Sequence, residues 1–216
     1  MRLAICASAP AYLLAFRGVS LATDPGEMDQ GTTFAAESGH HAVQFYSDDR
    51  SLCGVVARFL CEGLKESRPA VVIATPEHRL AITDELTGCG IDVDACVRAG
   101  VLKLLDAQET LSLFMVNGTP DQAKFKAAIG GVLAELGGAP RPRIIRAYGE
   151  MVDILWRRGQ RDAAIHLEVL WNELAMSHPF SLLCGYSQAH VTTPLAVKNV
   201  CNQHTHVLPG QASLVA

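Results

Sequence analysis

The chain has 216 residues, of which 49% are hydrophobic and 19% charged, and its formal net charge is -4 at pH 7. This composition is typical of a globular domain and excludes an intrinsically disordered chain. The mildly acidic balance gives no electrostatic reason to expect nucleic acid or an anionic membrane surface as a partner. No run of about 18 uninterrupted apolar residues occurs, so no transmembrane helix is expected.

Residues 1–39 are predicted to be a poorly ordered N-terminal extension. The apolar run 3–16 follows a single basic residue, Arg2, and lacks a clear cleavage site, so it resembles a poor signal peptide. Residues 24–39 are polar and aperiodic, which makes Met28 an alternative start of the natural protein. The domain itself is expected to span residues 40–209, followed by a short tail, 210–216.

From residue 40 the chain alternates between strand and helix signals. Short apolar runs bounded by turn residues predict strands at 42–46, 70–75, 101–105, 143–148 and 180–186. Helices are predicted after a cap at Asp49, from Thr75-Pro76 to Gly88, and over 121–136 and 161–175. This alternation predicts an α/β fold, with a mostly parallel sheet of about five or more strands and helices on both faces.

The seven cysteines include no Cys-x-x-Cys pair, so neither a zinc knuckle nor a thioredoxin-type motif is supported. Most of them lie within apolar patterns, where a thiol acts as a small hydrophobic group. We therefore expect reduced cysteines and a cytoplasmic protein.

In parallel α/β sheets the ligand crevice lies beyond the carboxyl ends of the strands. The sequence places tyrosines, hydroxyl groups and carboxylates there: Tyr46, Ser47, Asp48, Thr75, Glu77, Asp106, Tyr148, Glu150, Tyr186 and Ser187. The first turn, 47–49, has neither the glycines nor the lysine of a phosphate-binding loop. Its two aspartates would repel a triphosphate.

Four further positions, Glu150, Glu168, Asn172 and Trp171, allow two interpretations each. Glu150 follows a strand end, where it either favours the first turn of a helix or accepts a polar or cationic ligand group. Together with Asp48 it would bind a hard cation only with a third oxygen ligand. Glu168 and Asn172 lie four residues apart on one side of a predicted helix. They form either one polar cluster or a solvent-exposed pair. Trp171 belongs to an apolar stripe, which indicates core packing, with a ligand contact as the alternative.

His204 and His206 are candidate metal ligands. On an extended segment both side chains would share a face, and with His41 and a carboxylate they would complete a four-ligand site. If a helix that begins near Pro194 continues through them, the rings diverge and the site is lost. Nucleophilic catalysis has little support, because Cys184 lies in an apolar strand and no Gly-x-Ser-x-Gly elbow occurs.

Four separated motifs carry a family resemblance. They are His-Ala-Val-Gln-Phe-Tyr-Ser-Asp-Asp at 41–49, Leu-Glu-Val-Leu-Trp-Asn-Glu-Leu at 167–174, Leu-Cys-Gly-Tyr at 183–186 and Cys-Asn-Gln-His-Thr-His-Val-Leu-Pro at 201–209. In this order they resemble the MEDS domain, the methanogen/methylotroph DcmR-type sensory domain, over about residues 38–209. The resemblance implies a RecA-like fold similar to the circadian clock ATPase KaiC without its phosphate loop. It also implies a central first strand flanked by the fourth and fifth, which would bring 46–48 next to 148–150.

The resemblance further implies a sensory, ligand-binding module, which in this family occurs alone or beside DNA-binding or histidine-kinase domains. We therefore expect a stand-alone cytoplasmic module that binds a small molecule at the carboxyl edge of the sheet and signals to a partner protein. No cofactor is predicted, and homo-oligomerisation stays open. The expected ligand-binding residues are Tyr46, Ser47, Asp48, Tyr148, Glu150, Glu168, Trp171 and Asn172. The alternatives are a residual nucleotide-binding ATPase and a metal-dependent enzyme that uses His41, His204 and His206.

Overall fold

A computed structural model of the chain describes residues 20–21, 39–138 and 143–208. The predictions made for the start at Met28, for most of the N-terminal extension and for the tail therefore lie outside the described residues. Within the extension, Ser20–Leu21 forms a two-residue strand that pairs in parallel with the last strand of the sheet.

A parallel sheet lies at the centre of the described structure. The strands are β1 (Ser20–Leu21), β2 (His41–Tyr46), β3 (Ala70–Ala74), β4 (Leu102–Asp106), β5 (Met115–Val116), β6 (Thr119–Pro120), β7 (Ile145–Gly149), β8 (Phe180–Ser187) and β9 (His206–Leu208). The main sheet has the order β1-β9-β2-β8-β7-β3-β4, and all of its pairings are parallel. Strands β5 and β6 form a separate antiparallel pair.

The helices lie between these strands in the chain. They are α1 (Asp49–Lys65), α2 (Pro76–Gly88), α3 (Val93–Arg98), α4 (Ala107–Ser112), α5 (Gln122–Gly137), α6 (Met151–Arg157), α7 (Arg161–Ala175) and α8 (Pro194–Cys201). Among the described residues, none of them is long and apolar enough to cross a membrane.

Side chains alternate between the two faces of the sheet, as the strand pleat requires. Val43, Val71 and Leu182 belong to a buried cluster with residues of α4 to α8. Val72 and Leu183 belong to a second cluster, formed with α1 and α2. Both faces are therefore covered, which explains why the strands read as nearly continuous apolar runs. The predicted α/β fold with helices on both faces is confirmed.

Capping side chains and helix-terminating residues close to each end determine most of the helix boundaries. Thr75 caps α2 by accepting a hydrogen bond from the backbone N–H of His78, and Gly88 is the last residue of that helix, as predicted. Helices α5 and α7 agree with the predicted ranges 121–136 and 161–175 to within a residue. The cap of α1 is Asp48 and not Asp49, because the Asp48 side chain accepts the hydrogen bond from the N–H of Ser51 at 3.1 Å.

The implied strand order was correct for the fifth predicted strand, β8, which pairs with β2, and wrong for the fourth, β7, which does not. The first predicted strand, β2, lies between β8 and β9, and β8 separates it from β7. The chain returns from β7 through α6 and α7 and inserts β8 between β7 and β2. Tyr46 consequently pairs with Ser187 at the end of β8 and not with the end of β7.

Replacing Gly63 in α1 by alanine is expected to destabilise the protein by about 1–3 kcal/mol, because the site is already filled. A Cβ atom at this position would lie 2.5 Å from Cγ of Arg146. Arg146 is itself buried, with its guanidinium carbon 4.7 Å from the centre of the Phe59 ring, so its stem has little room to shift. Urea denaturation at one pH measures the change.

Gly54 in the same helix provides the matched control, because, apart from its chain neighbours and the backbone of its own helix, no atom of the described residues lies within 4 Å of the place where its Cβ would be. Alanine favours the helix at an unobstructed position, so we expect Gly54→Ala to stabilise the protein by about 0.5–1 kcal/mol. Equal effects of the two substitutions would show that Arg146 does not restrict Gly63.

Candidate functional site

A hydrogen-bonded ion pair lies at the carboxyl ends of β2 and β8. The hydroxyl of Tyr46 donates to Oδ2 of Asp153 at 3.0 Å, and Nε of Arg157 donates to the same oxygen at 2.7 Å. The other oxygen, Oδ1, accepts from the backbone N–H of Ser187 at 3.0 Å. Asp153 is completely buried, whereas the Arg157 side chain is 39% exposed. The pair therefore connects a buried carboxylate to the surface.

A second network starts at the end of β7. Oε1 of Glu150 accepts a hydrogen bond from the backbone N–H of Thr75, and Oε2 lies 2.5 Å from Nδ1 of His78. The hydroxyl of Tyr148 donates to Oε2 at 3.3 Å. On its other side, Nε2 of His78 lies 3.4 Å from Oδ1 of the exposed Asp49. Glu150 thus ties the end of β7 to the beginning of α2. We call the two networks together, Tyr46, Asp153, Arg157, Glu150 and His78, the edge network.

The electrostatics of the edge network follow from burial and pairing. Burial, with Asp153 nearby, raises the pKa of the Tyr46 hydroxyl, so Tyr46 stays a hydrogen-bond donor. Burial opposes ionisation of Glu150, but the contact with His78 and the N–H of Thr75 outweigh it and lower the pKa of that carboxyl. The same contact with Glu150 raises the pKa of His78 against its own burial. Both members of the pair are therefore held in their charged forms.

The raised pKa of His78 predicts that this residue stabilises the fold less as the pH rises. The folded state holds the proton more tightly than the unfolded state, where the pKa is about 6.5. The contribution is fully present below pH 6.5 and is lost as the pH increases through the folded pKa. We expect the free energy of unfolding of the native protein to exceed that of His78→Gln most clearly near pH 6.5, with the difference shrinking towards pH 9.

Urea denaturation at pH values above about 5.5 measures this difference while the carboxylates stay ionised. His190→Gln serves as the control, because His190 has an exposed side chain. A difference between the native protein and His78→Gln that stays constant over the range would contradict the ion pair with Glu150.

A separate cluster of four buried side chains lies near the amino end of β2. It consists of His41 from β2, Glu168 from α7, Cys184 from β8 and His204 from the turn that follows α8. One ligand atom from each residue lies within 4.8 Å of those of the other three. We call this group the buried tetrad.

The tetrad holds an ionised carboxylate in the core. Burial would raise the pKa of Glu168, but the neighbouring imidazoles of His204 and His41 hold it well below the usual range. Burial and the Glu168 carboxylate raise the pKa of the Cys184 thiol, which agrees with the prediction of an unreactive cysteine. The hydroxyl of Tyr186 donates to Oε1 of Glu168 at 2.9 Å.

The structure distributes the predicted ligand-binding residues over two places. Tyr46, Ser47, Asp48, Tyr148 and Glu150 all lie at the carboxyl edge, where the two residues of the 47–48 turn are exposed and the other three are buried. The turn therefore forms the rim of the edge, above buried polar groups.

The other predicted residues lie on the face covered by α7. Glu168 is buried in the tetrad and Asn172 is half-buried beside it, so the two form one polar cluster. Trp171 is 1% exposed and its ring packs edge-on against Phe125 and Phe180. Of its two interpretations, the contacts support core packing.

The structure brings two of the three predicted metal-ligand histidines together. The rings of His41 and His204 lie 4.2 Å apart, whereas His206 stacks on His40 at 4.0 Å. His40 and His41 are consecutive residues and face opposite sides of the sheet. His204 still belongs to the turn after α8, where its N–H donates to the carbonyl of Cys201. The extended spacing assumed for 204 and 206 therefore does not hold, and the two rings diverge.

The sequence interpretation missed Asp153, Arg157 and His78. Asp153 and Arg157 are four residues apart in α6, a spacing that signals an ion pair on one helix face. His78 is the third residue of α2, three positions after its cap. These signals were present in the sequence, but only the fold shows that they lie beside Tyr46 and Glu150.

Comparison with known proteins agrees with this architecture. The family model MEDS, described as MEthanogen/methylotroph, DcmR Sensory domain, matches residues 40–205. Since the match covers well over half of the sequence, the chain belongs to the MEDS family. No curated protein matches the chain.

A solved structure has a similar fold. It is the crystal structure of the uncharacterised protein PH0321 from Pyrococcus horikoshii in complex with an unknown peptide. The TM-score is 0.52 with 16% sequence identity, over 78% of this chain and 76% of that chain. At this identity the likeness shows the fold alone.

Proposed function

We propose that this protein is a sensory module that binds a small polar or cationic molecule at the carboxyl edge of its sheet and signals to a partner protein. The sensory character follows from the MEDS family. One observation carries the choice of site: charged groups are buried at the carboxyl edge, directly beneath the exposed turn 47–49. Buried charges are costly unless they are paired or functional.

The chemistry of the edge favours ligands with hydrogen-bond donors or a positive charge. Asp48 and Asp49 are exposed at the rim, and the buried side chains of Glu150 and Asp153 lie behind them. A cationic or donor group that reaches Asp153 would compete with the half-exposed Arg157. The ligand would thus replace an existing partner of a buried carboxylate, which limits the desolvation cost of binding.

The same contacts offer a route for the signal. Glu150 holds the first turn of α2, and Asp153 holds α6 against the ends of β2 and β8. A ligand that takes over one of these contacts changes the position of a helix that reaches the surface. We propose that a partner protein recognises this change.

A residual ATPase is the weaker candidate, because Asp48 and Asp49 occupy the turn where a nucleotide phosphate would bind. Stabilisation of the protein by Mg-ATP in a thermal-shift assay would support the ATPase candidate. A cytoplasmic location is part of the proposal and is supported by six unpaired cysteines among the described residues.

The site is tested by calorimetry and native mass spectrometry of the protein against panels of small polar and cationic metabolites. Asp48→Asn removes the rim charge but keeps a good helix cap, so we expect it to weaken cation binding without loss of stability. Asp92→Asn is the matched control, since Asp92 is also an exposed aspartate that caps a helix, α3. If no metabolite binds while a partner protein binds the unliganded form tightly, the sensor proposal fails in favour of a scaffold.

A further inference from the structure

We propose that the buried tetrad of His41, Glu168, Cys184 and His204 is a transition-metal site of the Zn²⁺ type. The inference goes beyond the sensory function proposed above and does not depend on it. His41 begins β2 and Tyr46 ends it, so the tetrad and the edge network are separated by about 16 Å along the strand.

Three of the four ligand atoms already form the triangular face of a tetrahedral site. Nε2 of His41 lies 3.2 Å from Oε2 of Glu168 and 3.4 Å from Sγ of Cys184, and the oxygen and the sulfur are 3.5 Å apart. Zinc bonds of about 2.0–2.3 Å place the ligand atoms of a tetrahedron about 3.3–3.8 Å apart. An ion fits at bonding distance from all three atoms with little rearrangement.

His204 supplies the fourth ligand atom. Its Nδ1 donates to the carbonyl of Val200 at 2.7 Å, so in the neutral ring Nε2 carries the lone pair. This Nε2 is buried, has no hydrogen-bond partner among the described residues and lies 3.4 Å from Oε1 of Glu168. A cation bound by this Nε2 would lie beside the Glu168 carboxylate and neutralise it.

Hydrogen bonds from neighbouring residues fix the orientation of the tetrad side chains. In metal sites, the hydrogen-bond partners of the ligands have the same role. Nδ1 of His41 donates to Oδ1 of Asn172 at 2.9 Å, which directs the lone pair of Nε2 towards the tetrad. The amide of Asn172 is fixed in turn, because its Nδ2 donates to the carbonyl of Gln203 at 2.9 Å. Tyr186 donates to Oε1 of Glu168 and leaves Oε2 for the ion.

The donor set selects the class of metal. Two imidazole nitrogens, one carboxylate oxygen and the thiolate that Cys184 becomes when it releases its proton to solvent on metal binding suit Zn²⁺ and similar divalent transition ions. Ca²⁺ and Mg²⁺ instead require oxygen ligands. Four buried protein ligands leave no open position for a substrate, so the site is closed, as structural zinc sites are. The ion would join β2, β8, α7 and the turn after α8, four elements distant in sequence.

Titration of the full-length, chelator-treated and reduced protein with Co²⁺ tests the site. We expect one ion per chain, with the intense visible bands of tetrahedral cobalt and a thiolate-to-cobalt charge-transfer band in the near ultraviolet. Competition with Zn²⁺ should abolish both. Cys184→Ser should remove the charge-transfer band and weaken binding beyond the about 10–100-fold loss expected for Asn172→Ala, which changes only an outer partner.

His206→Gln and Cys201→Ser are matched controls, because these residues have the same chemistry but lie outside the tetrad. Both should bind one ion with an unchanged spectrum, and far-ultraviolet circular dichroism reports whether each variant folds. Substoichiometric binding by the native protein, an octahedral cobalt spectrum or an equal loss in His206→Gln would overturn the proposal.

Discussion

Replacement of Trp171 by alanine is expected to lower the free energy of unfolding by about 3–5 kcal/mol, the usual cost of deleting a large aromatic side chain from a core. The Trp171 ring packs edge-on against Phe125 at 5.2 Å and Phe180 at 5.7 Å between ring centres. It joins α7 both to α5 and to β8. A loss of this size is a large part of the stability of an ordinary domain.

Urea denaturation followed by circular dichroism measures the effect. Trp171→Phe keeps an aromatic ring and should lower the free energy of unfolding less than Trp171→Ala does. It provides a second measurement if Trp171→Ala fails to fold. Leu80→Ala, at a position that is 66% exposed, should change stability by no more than about 0.5 kcal/mol. A small loss of stability for Trp171→Ala combined with a loss of ligand binding would contradict core packing and return Trp171 to the ligand site.

Replacement of Asp153 by alanine is expected to cost about 2–3 kcal/mol. Removing one partner of a fully buried ion pair costs about 3–5 kcal/mol, and the value here is lower because Arg157 is partly solvated. The substitution leaves the hydroxyl of Tyr46 and the N–H of Ser187 without their acceptor. Both are buried or half-buried at the carboxyl edge.

A double-mutant cycle of Asp153→Asn with Arg157→Met separates the ion pair from the hydrogen bonds, since the amide oxygen of asparagine can still accept from the N–H of Ser187 while its NH2 group donates to the Tyr46 hydroxyl. We expect a coupling energy of about 0.5–3 kcal/mol between the two residues, which are in contact. Asp84→Ala, an exposed position within α2, is the control. Additive effects of the two substitutions would show that the pair contributes no interaction to the edge network.

The sequence predicted the bounds of helices and strands better than it predicted which strands lie next to each other in the sheet. Thr75-Pro76 and Gly88 bounded α2 correctly because caps and terminators act within a few residues. The expected adjacency of the first and fourth strands was wrong, because it depends on where the α6–α7 return places β8, and local patterns carry no information about that insertion. Strand β9 is only three residues long and was not predicted for the same reason: its stability comes from pairing with β2.

The acidic turn 47–49, the apolar strands and the histidines at 41 and 204 could all be identified from the sequence, because they are properties of single segments. Only the tertiary structure decided which of these residues meet. In the folded chain Asp153 and Arg157 lie beside Tyr46. His206 lies on the opposite face of the sheet from His41, where it stacks on His40. Glu168 and Cys184 lie next to His41 and His204. The physical reason is that a site needs atoms within a few ångströms, and the packing of distant elements sets those distances.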